Sequence, residues 1–291
     1  MESKKHAYLI MAHTDFYLLQ QLLEVLDDKR NDIYVHIDKK VIEFDSNALT
    51  SIIRNANIFF VERINVSWGG DTQIKCEYNL LKAAYPKHYK YYHLISGIDF
   101  PIKSQNYIHD FFEKNDGTNY IDVSLSEEDN MQFANQRIAQ YHFLQNITGR
   151  KDSRIHKLEL KFIDLQKKLG INRLKNCPKR IYKGANWFSL TDAMVQEVLQ
   201  EEKFVKKYCY YSECADEIFL TTIVMNSGNK NVITNNCLRL IDWERGTPYT
   251  FQLNDYDTLM ESDMLFARKF SSETDGGKKL IKSMKDKIIS N

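Results

Sequence analysis

The sequence has no apolar run approaching the ~20 residues that a membrane-crossing helix needs. Its longest runs, such as Ala7–Ala12, are far shorter. Neither charge is in excess: 40 Lys and Arg stand against 39 Asp and Glu, a formal net charge of +1. That balance argues against a dedicated nucleic-acid binder, which carries a clear basic surplus. Proline and glycine are scarce, at 4 and 11 residues in 291, which leaves little room for long linkers. The five cysteines (Cys76, Cys177, Cys209, Cys214 and Cys237) are scattered and form no CxxC. A zinc site or redox motif is therefore disfavoured, and reduced thiols are expected. No GxGxxG follows the first apolar run, and no GxxxxGKS or GxxxxGKT occurs. A Rossmann dinucleotide site and a P-loop are both disfavoured. Met1–Lys5 lead straight into the first apolar run without an h-region and cleavage site, so no signal peptide is expected.

What is present is the make-up of a folded α/β protein: 43% hydrophobic, 27% charged and 12% aromatic, with 17 Tyr and 16 Phe. Ala7–Met11, Asp32–Asp38, Asn57–Val61 and Tyr91–Ser96 read as buried strands. Between them lie helical patterns over Phe16–Leu26, with Thr14 as the expected N-cap, over Asn47–Arg54 and over Thr72–Ala84. Alternation of this kind predicts a mostly parallel central sheet with helices on both faces. Ligands in such sheets bind outside the carboxyl ends of the strands. Ala12–Thr14, Asp38–Lys40, Glu62–Gly70 and Gly97–Ser104 therefore share one rim.

The middle differs. Arg150–Lys183 holds 12 Lys and Arg against 3 Asp and Glu. Within it Ile155, Leu158, Phe162, Leu165 and Leu169 make a helical stripe that Gly170 should end. Either the helix packs on that stripe, or it touches anionic lipid headgroups. The last third reads as a strand at Asn186–Leu190, a helix over Asp192–Leu199 capped by Thr191, and a helix over about Ala215–Met225. A strand at Cys237–Ile241 and a helix over Leu280–Ile289 follow. One domain is expected, with a nucleotide-binding half over 1–115 and an acceptor-binding and catalytic half over 116–291.

Several residues invite chemistry. Asp216-Glu217 opens a predicted helix, where a carboxylate either caps the free N–H groups or stands as a general base. Asp255-Tyr256-Asp257 is a literal DxD, the metal-binding pattern of many sugar-nucleotide enzymes, but it lies in polar sequence before a helix rather than at a strand end. His36 and Asp38 point to one face of a strand, and two ligands do not complete a transition-metal site. Ser67-Trp68-Gly69-Gly70 is a tight turn beside an aromatic. Lys269, in Leu265–Phe270, is either a snorkelling surface lysine or a cation set against a diphosphate.

The ordered set Tyr34-Val-His-Ile-Asp38, Trp68-Gly-Gly70, Leu94-Ile-Ser-Gly-Ile-Asp-Phe-Pro-Ile-Lys103, Gly184-Ala-Asn-Trp-Phe188, Ala215-Asp-Glu217, Ile241-Asp-Trp243 and Phe266-Ala-Arg-Lys-Phe270 resembles glycosyltransferase family 14. These are the core-2/I-branching β-1,6-N-acetylglucosaminyltransferases and peptide O-xylosyltransferases. The resemblance runs from Ala7 to Phe270. It implies an α/β fold of GT-A type that binds a UDP-sugar, and an inverting transfer to a glycan hydroxyl with no metal or other cofactor. It maps the base onto Glu217, the diphosphate cation onto Lys269, with Arg245 or Arg268 assisting, and the nucleoside contact onto Asp38. Ala12 and His13, at the end of the first strand, join the nucleotide side. Asp99 falls near the sugar, Trp243 at the acceptor, and Trp68 at the border of the site. Trp187 is a second aromatic platform for a sugar ring. The chain lacks the anchor and disulfides of the animal members, so it resembles a cytoplasmic, bacterial-type member, peripheral at the inner face of the plasma membrane. Its expected role is surface-polysaccharide synthesis on a polyprenyl-linked glycan, with residues 150–183 against anionic lipid and no nucleic-acid partner. The alternatives are a metal-dependent transferase using Asp255 and Asp257, and a non-catalytic module that binds UDP-sugar or glycan.

Overall fold

A computed structural model describes residues 5–149, 154–229 and 232–290. Among the described residues ten strands are seen: β1 (His6–Ala12), β2 (Asn31–Ile37), β3 (Asn57–Phe60), β4 (Tyr91–Ser96), β5 (Asp99–Pro101), β6 (Asn119–Val123), β7 (Gly184–Thr191), β8 (Ile233–Asn235), β9 (Arg239–Ile241) and β10 (Phe266–Arg268). Seven form one sheet in the order β3-β2-β1-β4-β7-β6-β8. The first four run parallel, and β7 runs antiparallel to both its neighbours. A small second sheet, β5-β10-β9, lies beside it.

Alternation along each buried strand produces two cores. Ala7 and Leu9 of β1, Tyr34 of β2 and Leu94 of β4 belong to one; Tyr8, Ile10, Val35 and Ile95 belong to the other. Successive side chains point to opposite faces of a sheet. Helices Asp71–Ala84, Asp192–Gln200 and Asp216–Asn226 cover the first face. Helices Phe16–Leu26, Gln105–Lys114 and Asp275–Ile289 cover the second. This is the expected α/β layout, a mostly parallel central sheet with helices on both faces. Leu18, Leu19, Leu22, Leu23 and Leu26 are all 0% exposed, and burying each such side chain stabilises by about 1.5–3 kcal/mol.

Some local expectations are corrected. The N-cap of Phe16–Leu26 is Asp15, not Thr14. Asp15 adopts φ 50° and accepts the Leu18 N–H at 3.1 Å. The same carboxylate accepts from Ser272 N at 2.6 Å, which ties the first helix to the loop after β10. The helix expected over Asn47–Arg54 is only Ser46–Thr50. Its continuation is blocked because Asp27 captures the N–H groups of Arg54, Asn55 and Ala56 at 2.7–2.9 Å. The strand expected from Cys237 begins at Arg239, since Leu238 takes φ 61°. In the basic segment, 150–153 lie outside the described residues. Arg154–Lys168 is a helix, and Gly170 follows it at φ 70°.

Candidate functional site

The parallel register brings the ends of β1, β2 and β4 to one level: Ala12 pairs with Ile37, and Met11 with Ser96. Because β7 runs the other way, its first residues arrive at that same rim, where Gly184 meets Val123 of β6. Only glycine fits there. A Cβ on Gly184 would lie 1.9 Å from the Asp122 carbonyl oxygen and 2.4 Å from Thr221. A cavity of about 800 Å³ opens above the rim, of the size that small ligands occupy.

Three walls matter. On the first, His13, Asp38 and Lys40 follow β1 and β2. Asp38 accepts from Lys40 N at 2.9 Å and Val66 N at 3.3 Å, so its carboxylate is held in place. His36 Nε2 accepts from Ile64 N at 3.0 Å, and burial lowers its pKa, so the ring is neutral.

The second wall is β10. Arg268 donates to Asp99 Oδ1 and Ser96 Oγ, both at 2.7 Å, and its guanidinium lies 4.5 Å over the Trp187 ring. Asp99 is fully buried and also accepts from Ser96 N and Oγ. The cation is thus locked by a buried counter-charge and an aromatic face.

The third wall is the start of helix Asp216–Asn226. Asp216 accepts from Gln73 Nε2 at 3.0 Å, while its Oδ1 is buried with no hydrogen-bond partner. One turn beyond Gln73, on the same face of helix Asp71–Ala84, Glu77 is fully buried with both carboxyl oxygens unpartnered. Burial and the neighbouring Asp216 push the Glu77 pKa well up. Burial, then the Glu217 charge, pushes Asp216 up to about 7. Glu217 lines the cavity, and burial raises its pKa against the opposing pull of Lys183 and Arg137. The Trp68-Gly69-Gly70 turn braces this wall. Gly69 sits at φ 67° and accepts from Cys214 N at 2.7 Å, and a Cβ on Gly70 would lie 2.2 Å from Asn146 Oδ1.

Of the residues assigned to the transferase site from the sequence, Ala12, His13, Asp38, Trp68, Trp187, Glu217, Trp243 and Arg268 line this one cavity. Three do not. Asp99 is buried behind Arg268 and reaches the cavity only through it. Lys269 opens instead onto a smaller cavity with Thr14, Asp15 and Ser271. The two cavities lie on either side of the same backbone steps, His13–Thr14 and Arg268–Lys269. Arg245 lines neither, because its guanidinium is bonded to Asp242 at 2.5 Å and Asp255 at 2.7 Å. That pairing also engages the DxD. Asp255 holds Arg245 and caps Gln252 N, and Asp257 lies in the first turn of helix Tyr256–Glu261. Among the described residues no group of three or more His, Cys, Asp or Glu converges on a common point.

Sequence reading missed Gln73, Glu77, Asp122, Ser124, Asp129 and Lys183. Glu77 carried a signal. It falls inside the apolar face Ile74, Tyr78, Leu81 and Ala84, where an acid has to be neutral or paired.

A family model described as Core-2/I-Branching enzyme matches residues 6–264, and the chain belongs to that family of nucleotide-sugar glycosyltransferases. Among relatives, the "Probable beta-1,3-galactosyl-O-glycosyl-glycoprotein beta-1,6-N-acetylglucosaminyltransferase 7" of Sus scrofa is 28% identical over 102 residues. That match covers 34% of this chain and 24% of the relative, about a quarter of its length. Among solved structures, mouse xyloside xylosyltransferase 1 in its apo form aligns over 90% of this chain and 96% of that one. Its TM-score is 0.39 and its identity 10%, and the family membership does not rest on it.

Proposed function

We propose that this protein transfers a sugar, GlcNAc or xylose, from a UDP-sugar to a hydroxyl of a glycan acceptor with inversion at the anomeric carbon. One observation carries the reading: Glu217, with its raised pKa, and Arg268, with its locked guanidinium, line a single cavity at the carboxyl rim of the sheet. Glu217 takes the proton of the acceptor hydroxyl. The hydroxyl oxygen forms the new bond to C1 of the donor sugar as the bond from C1 to the UDP oxygen breaks, and UDP leaves with that electron pair. A base with a raised pKa is better matched to a proton transfer near neutral pH. Arg268 offers fixed positive charge to the departing diphosphate, with Lys269 on the far side of the same backbone step. Asp38 and His13 take the nucleoside, and Trp68, Trp187 and Trp243 offer faces for sugar rings.

The reaction is read as metal-independent because Asp255, the first carboxylate of the DxD, is taken by Arg245 and neither DxD acid lines the cavity. The acceptor is read as a lipid-linked glycan of surface polysaccharide, a reading supported by the exposed apolar and basic side chains of helix Arg154–Lys168. Calorimetric titration with UDP and with UDP-GlcNAc, UDP-xylose, UDP-glucose and UDP-galactose, in EDTA and in manganese, tests this. Micromolar UDP binding in EDTA is expected, with the tightest donor naming the sugar. Binding only in manganese would move the chemistry to a metal. No nucleotide binding under either condition would remove the transferase reading.

A further inference from the structure

Helix Arg154–Lys168 is inside out. Its buried residues are Glu159 and Gln166, both polar. Glu159 accepts from Leu144 N at 3.0 Å, while Gln166 accepts from Tyr141 N at 2.8 Å and donates to the Tyr141 carbonyl at 2.8 Å. Hydrogen bonds from these two buried polar residues tie this helix to the protein. The apolar stripe faces out, with Ile155, Leu158, Phe162, Leu165 and Leu169 between 42% and 67% exposed. Arg154, Lys157, Lys161 and Lys168 are exposed as well. They recur at steps of three, four and seven residues, with exposed Asp164 filling the step between Lys161 and Lys168, so they form a second strip of four cations and one carboxylate along the helix. At 100° per residue that strip adjoins the apolar one, on the side away from Glu159 and Gln166.

Such a surface opposes the ordinary logic of folding, in which an apolar stripe faces the core. An outward apolar stripe bordered by cations matches a boundary that is greasy below and negative above. We infer that Arg154–Lys168 seats in the interface of an anionic lipid bilayer, with the stripe among the upper acyl chains and the cations on the headgroups. The placement bears on the cavity. Segment Gln145–Thr148 lies against this helix and against the tryptophan turn at the cavity wall. Ser67 Oγ donates to the Asn146 carbonyl at 2.5 Å, and Gln145 Nε2 to the Trp68 carbonyl at 3.2 Å. A bilayer under this helix therefore lies beside the Trp68 side of the cavity, where a lipid-anchored acceptor would present its glycan. That last step rests on the transferase reading, whereas the docking does not.

Co-sedimentation of the full chain with equimolar phosphatidylcholine–phosphatidylglycerol vesicles, and with pure phosphatidylcholine vesicles, is the test. Binding to the anionic vesicles and a loss with added salt are expected. Leu158→Ser/Phe162→Ser/Leu165→Ser should weaken partitioning by about tenfold or more, with an unchanged melting curve because these side chains are exposed. Lys157→Glu/Lys161→Glu should abolish the preference for anionic lipid. Three results would overturn the inference: no binding of the wild type to anionic vesicles, equal binding by the serine variant, or a dimer in sedimentation velocity that the serine variant dissolves, which would assign the stripe to a second copy. UDP titration of the same preparations reports separately on the transferase site, so failure of docking and failure of the enzyme reading are distinguishable.

Discussion

The wall made by β10 and the wall made by the start of helix Asp216–Asn226 face the same cavity but hold their charges in different ways. On β10, Arg268 is matched by a buried carboxylate, a hydroxyl and an aromatic face. On the helix side, Asp216 and, behind it on helix Asp71–Ala84, Glu77 leave three carboxyl oxygens without partners, and burial raises the pKa of each acid. A saturated cation keeps its charge and position, which suits a developing negative charge. Under-partnered acids keep their protons to higher pH, which suits proton transfer or a neutral packing role. The difference separates a fixed-charge wall from a proton-bearing one, and it can be broken one residue at a time.

The largest effect belongs to the proton-bearing wall. Glu217→Gln keeps the shape and removes the base, so turnover should fall by ~10²-fold or more with UDP affinity nearly intact. Steady-state kinetics paired with calorimetry checks this, and a fully active variant would take Glu217 out of the mechanism. Next comes the fixed-charge wall. Arg268→Ala should weaken UDP binding by about tenfold, and Lys269→Ala by less, since Lys269 opens onto the smaller cavity. An equal or larger loss at Lys269 would place the diphosphate across both cavities. Asp99→Asn should reduce UDP affinity only a few-fold, because Ser96 and Trp187 still hold the guanidinium after the counter-charge is gone. A loss as large as that of Arg268→Ala would mean that the buried charge sets the geometry alone.

The smallest effect on activity is expected at Glu77, where the readout is stability. Its folded pKa lies above the ordinary 4.5. Its contribution is therefore complete below pH 4.5 and is lost as pH rises toward the folded value. Over that window the loss approaches about 1.4 kcal/mol per pH unit. Asp216 adds a like loss between pH 3.8 and about 7. In urea melts across pH, Glu77→Gln should flatten the decline by its share and leave the Asp216 part. An unchanged profile would show that Glu77 is ionised and partnered in solution.

Two helices show how far periodicity reads. Phe16–Leu26 and Arg154–Lys168 carry the same kind of apolar stripe, and both were legible as helices. The first buries its stripe completely, whereas the second buries Glu159 and Gln166 instead. Spacing says which residues share a face and is silent on what covers it. The candidate site divides in the same way. Glu217, Asp38 and the three tryptophans could be picked out by position within an ordered set of motifs. The hold of Asp99 on Arg268 and the engagement of Asp255 by Arg245 are contacts between segments remote in the chain or folded back on a turn, and no local pattern encodes them.

The sequence by itself determined the buried strands β1 to β4, the helices between them, the rim at their carboxyl ends and the family motifs that converge there. Those follow from local rules: alternation, helical spacing, and the handedness of parallel crossovers. Tertiary structure alone decided that β7 would run against its neighbours and bring Gly184–Trp187 to the rim, and that Arg268 and Lys269 would open onto different cavities. It also decided that Glu77 would lie unpartnered beside Asp216. Each is a choice of neighbour across long chain separations, settled by which packing buries the most apolar surface at the least cost in stranded polar groups.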